Sequence, residues 1–235
     1  MTRTNSQTFD IAGFAENQRL FLLFGMFGCG KTELAINLAL HLAELDRQVA
    51  LVDLDTVSPY FRSRDLQFPL KKRGVRVISP PGALKHADMP IVIGEVGGVI
   101  QNPVYTTVLD IGGNDDGATV LGSLSRFLLG VHKKVLYVVN TRRPFSRSSE
   151  EMAENLRRLS QKARVTVDGL VHNSNLGPAT SVEVILQGEE KMEELSKHCE
   201  LPVLATCVEK GHGLEKGDHP FRFPVWAVDR FLQNP

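Results

Sequence analysis

The sequence predicts an α/β fold in three layers, helices on both sides of a mostly parallel sheet of about seven strands. Two observations lead there. Short apolar runs alternate with stretches of helical periodicity along the whole chain, the pattern of strands joined by crossover helices. Several of the runs also end on an acidic or amide residue, as Val49–Val52 does on Asp53 and Tyr105–Leu109 on Asp110. In parallel α/β sheets ligands sit at the carboxyl ends of the strands, so these are the positions to watch.

The first run, Leu20–Phe24, is apolar throughout and enters Gly25-Met26-Phe27-Gly28-Cys29-Gly30-Lys31-Thr32. That stretch fits G-x-x-x-x-G-K-[ST], the phosphate-binding loop of nucleoside triphosphatases. A helical pattern follows from Lys31 to about Leu45, polar only along the stripe Glu33, Asn37, His41 and Glu44. Such a helix is buried nearly all round. Strand, glycine-rich loop and helix in this order supply what phosphate binding needs: inward-pointing N–H groups and the positive end of a helix dipole. Gly25, Phe27, Gly28, Cys29, Gly30, Lys31, Thr32 and Glu33 are therefore the candidate nucleotide-binding residues. Lys31, expected to be exposed in an empty loop, would reach the β- and γ-phosphates, and the Thr32 hydroxyl would ligate Mg²⁺.

The rest of the chain follows the same alternation. Val49–Val52 is the second strand, and 56–74, with Arg62 and Arg64, reads as a mobile segment with one helical turn. Val75–Ile78 is a third strand, stopped by Pro80-Pro81-Gly82. Tyr105–Asp110 is a fourth. Ala118, Leu121, Leu124 and Leu128 recur at helical spacing after Asp115-Asp116. Val135–Asn140 is a strand, and Ser148 with Glu151 forms a capping box for the next helix. Val165–Val171 is a strand ending at His172-Asn173. Thr180 and Glu183 are read as the cap of a helix running to about Cys199, with Gly188 as a candidate break. Leu201–Ala205 closes the sheet, and Val225–Leu232 is read as a short terminal helix carrying Trp226. No repeat or long linker appears, so residues 1–235 form one domain.

Composition excludes several classes. With 27 basic and 27 acidic residues the formal charge is zero, so no global field favours nucleic acid or an anionic membrane. No apolar run approaches the ~20 residues of a membrane span. Three cysteines, Cys29, Cys199 and Cys207, form neither a disulfide framework nor a paired metal site. A reducing, cytoplasmic setting suits them.

Asp110 begins Asp110-Ile111-Gly112-Gly113 and is positioned to hold Mg²⁺, with the Gly113 amide toward the γ-phosphate. Asp53 and Asp55 share a strand face. One can support the metal shell and the other can orient a water for in-line attack. Cys29, at a helix N-terminus, is either a redox-sensitive thiol or a small filler.

Taken together, the loop, the V-D-x-D strand end, the D-x-G-G stretch and an Asn after a later strand resemble the SIMIBI class of P-loop nucleotidases, in its MinD/ParA/CobQ-type group. The resemblance covers nearly the whole chain and implies the P-loop NTPase fold. It implies that Asp55 is the water-activating acid, Asp53 a metal-shell acid, Asp110 and Gly113 the second switch, and Asn173 the base contact, reading adenine. It also favours a helix over 91–100, where β-branched residues favour a strand. One departure stands out: Met26 occupies the place of the extra lysine of the deviant loop, so any homodimer is expected to depend only weakly on ATP and not to share charge contacts across a bridged nucleotide. The stretch Val52–Arg64 further resembles a bacterial ATPase subgroup of this class. The function implied is an ATP-binding (and ADP-releasing), Mg²⁺-dependent, slow ATPase that switches a protein partner. The alternative is a biosynthetic enzyme phosphorylating a carboxylate, of the dethiobiotin-synthetase or cobyrinate-amidating type. GTP is disfavoured because no [NT]-K-x-D motif follows Val139 or Val171.

Overall fold

The structure is a computed structural model that describes residues 8–55, 67–79, 89–211 and 219–232, with the backbone alone at 89–92. Eight strands make one sheet: β1 Leu20–Phe24, β2 Gln48–Leu54, β3 Val75–Ile78, β4 Tyr105–Ile111, β5 Lys133–Val139, β6 Gly169–His172, β7 Val203–Glu209 and β8 Val225–Val228. Their order is β3-β2-β4-β1-β5-β6-β7-β8, and each neighbouring pair is parallel. All carboxyl ends therefore face one edge. The helices are α1 Ile11–Ala15, α2 Lys31–Glu44, α3 Gln67–Lys72, α4 Met89–Gln101, α5 Asp115–Ser123, α6 Ser149–Ala163 and α7 Val182–Cys199.

The alternation of side chains along a strand builds the layers. In β1, Phe21 and Leu23 pack with α1 and α2, while Leu20, Leu22 and Phe24 join a second cluster with α4, α5, α6 and α7. β1 is buried on both faces because it lies mid-sheet, which is why its sequence is apolar without a gap. α2 is apolar nearly all round for the same reason: Leu34, Ala35, Ile36, Leu38 and Leu42 are all buried.

Some expectations need correction. Val225–Val228 is a strand, the eighth of the sheet among the described residues, and not part of a terminal helix. Pro224 pushes the chain toward extended geometry. The Val-Trp-Ala-Val run suits a sheet edge, where Phe9 N–H also donates to the Val225 carbonyl at 2.8 Å. Trp226 is buried there, against Phe9. Residues 91–100, open between helix and strand, are helical within α4, as the family resemblance implied. The N-cap of α7 is Ser181, whose Oγ accepts from Val184 N–H, while Thr180 caps a tight turn at Gly177. Gly188 does not break α7. Of the segment 56–74, residues 56–66, with Arg62 and Arg64, lie outside the described residues, and 67–72 is α3.

Candidate nucleotide-binding site

The phosphate loop joins the central strand to α2, so its backbone is fixed at both ends by buried elements. Gly30 is the N-cap of α2 with φ 91°, a left-handed conformation that glycine adopts without strain. It is also tight for space, because a Cβ there would overlap Asn173 Nδ2. Lys31 is not exposed as expected but 5% accessible, its Nζ donating to the Met26 carbonyl at 3.3 Å. The ammonium thus bridges the loop it belongs to, already pointed inward. Cys29 is buried, and burial pushes its thiol above the usual range; this is the small filler and not an activated thiolate.

Thr32 and Asp110 meet directly, the hydroxyl donating to Oδ2 at 2.6 Å. Asp53 is the register partner of Asp110 across the β2–β4 pair, which brings the two buried carboxylates side by side. Burial first, and Asp53 second, push the Asp110 carboxyl well above the usual carboxylate range. Two buried acids placed this way call for a cation. Asp110 Oδ1 is buried without a hydrogen-bond partner. A hydroxyl and one or two carboxylates, completed by phosphate oxygens and water, is the donor set Mg²⁺ takes. Among the described residues no three His, Cys, Asp or Glu side chains converge as a full metal cage. Thr32, Asp53 and Asp110 fit a nucleotide-bound Mg²⁺.

Asp55 is also buried, and its N–H donates to Asp53 Oδ1 at 3.0 Å. Gly113 packs onto the loop so closely that a Cβ would lie 2.6 Å from Phe27 N and 2.9 Å from Lys31 Nζ. Thus the second acidic stretch touches the phosphate loop through a glycine. Asn173 donates to the Cys29 carbonyl at 2.8 Å, so its amide holds the loop from the β6 side. Glu33 turns its carboxylate to the chain's end, accepting from Phe231 N–H at 2.9 Å and Leu232 N–H at 2.8 Å. Phe27, at the loop tip, is 60% exposed.

A cavity of about 600 Å³ runs from Lys31, Thr32 and Asp55 past Asn173 to Cys207, Val208, Val228 and Arg230. The far end comes from β7, β8 and the chain beyond. Sequence reading missed it, since only the strand order brings 207–209 and 228–230 to this edge. It also missed Ser174, whose Oγ accepts from Thr141 N–H at 2.9 Å, and Arg143, which lies over Gly28.

A family model described as CbiA, the CobQ/CobB/MinD/ParA nucleotide binding domain, matches residues 25–181, well over half of the sequence. The chain belongs to this family. The CobQ/CobB/MinD/ParA domain here is a SIMIBI-class P-loop NTPase, and its nucleotide-binding character is that of the family. No curated protein matches its sequence. Among solved structures it resembles FtsY from Mycoplasma mycoides, at 20% identity over 79% of this chain and 59% of that one, TM-score 0.53. It also resembles the signal recognition particle 54 kDa protein from Aeropyrum pernix K1, in complex with GDP, at 14% identity over 81% of this chain and 41% of that one, TM-score 0.55. Chloroplast FtsY from Physcomitrella patens is similar too, at 16% identity over 79% and 57%, TM-score 0.54. The chain spans between 41% and 59% of these proteins, and at such identities the likeness shows the fold. Among the described residues no helix is long and apolar enough to cross a membrane.

Proposed function

We propose that this domain binds ATP with Mg²⁺, hydrolyses it slowly and acts as a nucleotide-dependent switch on a protein partner. One observation carries the reading: Thr32, Lys31 and the adjacent carboxylates of Asp53 and Asp110 meet at the N-terminus of α2. Lys31 and the loop amides hold the phosphates, and Thr32 with Asp110 and Asp53 holds the metal. Mg²⁺ supplies charge neutralisation between the β- and γ-phosphates. Asp55 orients the attacking water, and Gly113 answers to the γ-phosphate. ATP is favoured over GTP by the missing [NT]-K-x-D motif; the GDP bound by the Aeropyrum protein makes guanine the alternative base. Unpaired cysteines suit a cytoplasmic setting.

The family description, with CobQ and CobB in it, favours a second reading, a ligase-type enzyme that phosphorylates a small carboxylate. Calorimetry and turnover of the purified protein test both. ATP should bind more tightly with Mg²⁺, and Lys31→Ala should abolish binding. Thr32→Ala should remove most of the Mg²⁺ gain, ~10-fold or more for a hydrogen bond to a charged group. Asp55→Asn should keep ATP and stop hydrolysis. Turnover that appears only with a small carboxylate, and needs no protein partner, would establish the second reading.

A further inference from the structure

On the reading above, the phosphate loop brings one cation of its own, Lys31; residues Gly25 to Thr32 contain no other basic side chain. A second cation arrives from beyond β5. The loop Asn140 to Ser146 is pinned at several points. Thr141 N–H donates to Ser174 Oγ at 2.9 Å, and the two hydroxyls stand 2.8 Å apart. Arg142 N–H donates to Asn140 Oδ1 at 2.9 Å, and Arg143 N–H to the Asn140 carbonyl at 3.2 Å. Asn155 Nδ2 donates to the Phe145 carbonyl at 3.2 Å, holding Phe145 at φ 70°, a conformation an aromatic residue seldom takes. The anchors therefore impose the loop's shape.

That shape lays Arg143 across the phosphate loop. A Cβ on Gly28 would stand 3.6 Å from Arg143 Cδ and 3.7 Å from Nε. Gly28 takes φ 75°, which glycine adopts without strain, and its Cβ position lies at van der Waals distance under the arginine stem. Arg143 lines the large cavity together with Lys31 and Thr32, and is exposed to it. The two consecutive arginines differ in use. Arg142 donates to Gln187 Oε1 at 2.5 Å and is tied to α7. The Arg143 guanidinium makes no hydrogen bond or ion pair among the described residues.

We propose that Arg143 contacts the phosphates of the bound nucleoside triphosphate in cis, its planar fork taking non-bridging oxygens of the β- and γ-groups. A guanidinium matches phosphate geometry with two parallel N–H donors, which a lysine cannot reproduce. Because the stem is already seated on Gly28, little rotamer freedom remains to be lost on binding.

The test is calorimetry of ATP and ADP with Mg²⁺ on the wild type, Arg143→Met and Arg143→Lys. Methionine keeps an unbranched stem on Gly28 and removes the charge. Arg143→Met should weaken ATP about 10- to 100-fold, the scale of a hydrogen bond to a charged group, and ADP by clearly less. Arg143→Lys should recover part of the loss, and thermal unfolding of the nucleotide-free protein should not change. ATP affinity unchanged in Arg143→Met, or an equal loss for ATP and ADP, overturns the proposal while leaving the nucleotide site intact. A wild type that binds neither nucleotide, with Lys31→Ala indistinguishable from it, overturns the underlying reading as well.

Discussion

Gly188 and Gly94 are both glycines inside helices, yet alanine should have opposite effects at the two. In an open helix Gly→Ala stabilises by about 1 kcal/mol, because glycine gives up the most backbone freedom. Gly94 in α4 is exposed, and a Cβ there meets no atom of the described residues within 4 Å. At Gly188 in α7 a Cβ would overlap His172 Nε2 and stand 2.7 Å from Ser174 Oγ. Neither neighbour can yield easily. His172 is fully buried with Nδ1 3.2 Å from Thr206 Oγ1, and Ser174 is held by Thr141 through two contacts. Overpacking of this kind costs about 1–3 kcal/mol. After the helix gain the net loss for Gly188→Ala is up to about 2 kcal/mol, or up to roughly 8 °C in Tm for a chain of this size. Gly94→Ala should instead raise stability by up to about 1 kcal/mol. Urea unfolding monitored by circular dichroism measures both. A Gly188→Ala protein that gains stability as Gly94→Ala does would show that the β6 end can shift freely, and would refute the account of why α7 carries a glycine.

Asn173 and His172 give two further expectations. Asn173→Ala removes the amide that holds the Cys29 carbonyl, so ATP and GTP affinity should fall together by about 10-fold. A change confined to the ATP/GTP ratio would refute the loop-holding role and put the amide on the base. One contribution to the pH dependence of stability comes from His172, whose pKa burial lowers to about 3; buried Asp110, raised to about 7, contributes in the opposite direction. The folded value of His172 lies below the ordinary 6.5, so its contribution is complete above about pH 6.5 and is lost as pH falls toward 3. Near pH 4.5 the loss is about 3 kcal/mol. Around the ring stand Thr206, Ser174 and, through the Thr206 hydroxyl, Glu189, whose carboxyl burial raises and which works in the opposite direction. His172→Gln should flatten the acid limb of a urea midpoint-against-pH curve, and an unchanged slope would exclude this origin.

What was legible in the sequence was local. The loop between Leu20–Phe24 and α2 declares itself because strand, glycines and lysine are consecutive. Asp53 and Asp110 are visible because each ends an apolar run. Their pairing was not visible, since it depends on β2 lying beside β4. Val225–Val228 was misread because four residues carry too little periodicity, and its extended form is settled by β7 and Phe9. Gly188 looked like a fault in a helix when only the packing of His172 explains it. For Arg143 topology put the loop 140–144 near the site, but its contact with Gly28 was not legible, as it joins positions more than a hundred residues apart.

The clasp between α2 and the chain's end bears on synthesis. Asn37 exchanges two 2.8 Å hydrogen bonds with the Asp229 backbone, and Glu33 receives the N–H groups of Phe231 and Leu232. The helix that begins at the phosphate loop is translated well before this segment, so Glu33 and Asn37 find these partners only after residue 232 has left the ribosome. Until then Glu33 and Asn37 must be hydrated, and the edge of β7 is uncovered. At ~5–20 residues per second the interval is of order ten seconds or more. A nascent chain stalled before Val225 would therefore display the open edge of β7 and the unpaired ends of Glu33 and Asn37, a form suited to capture by chaperones.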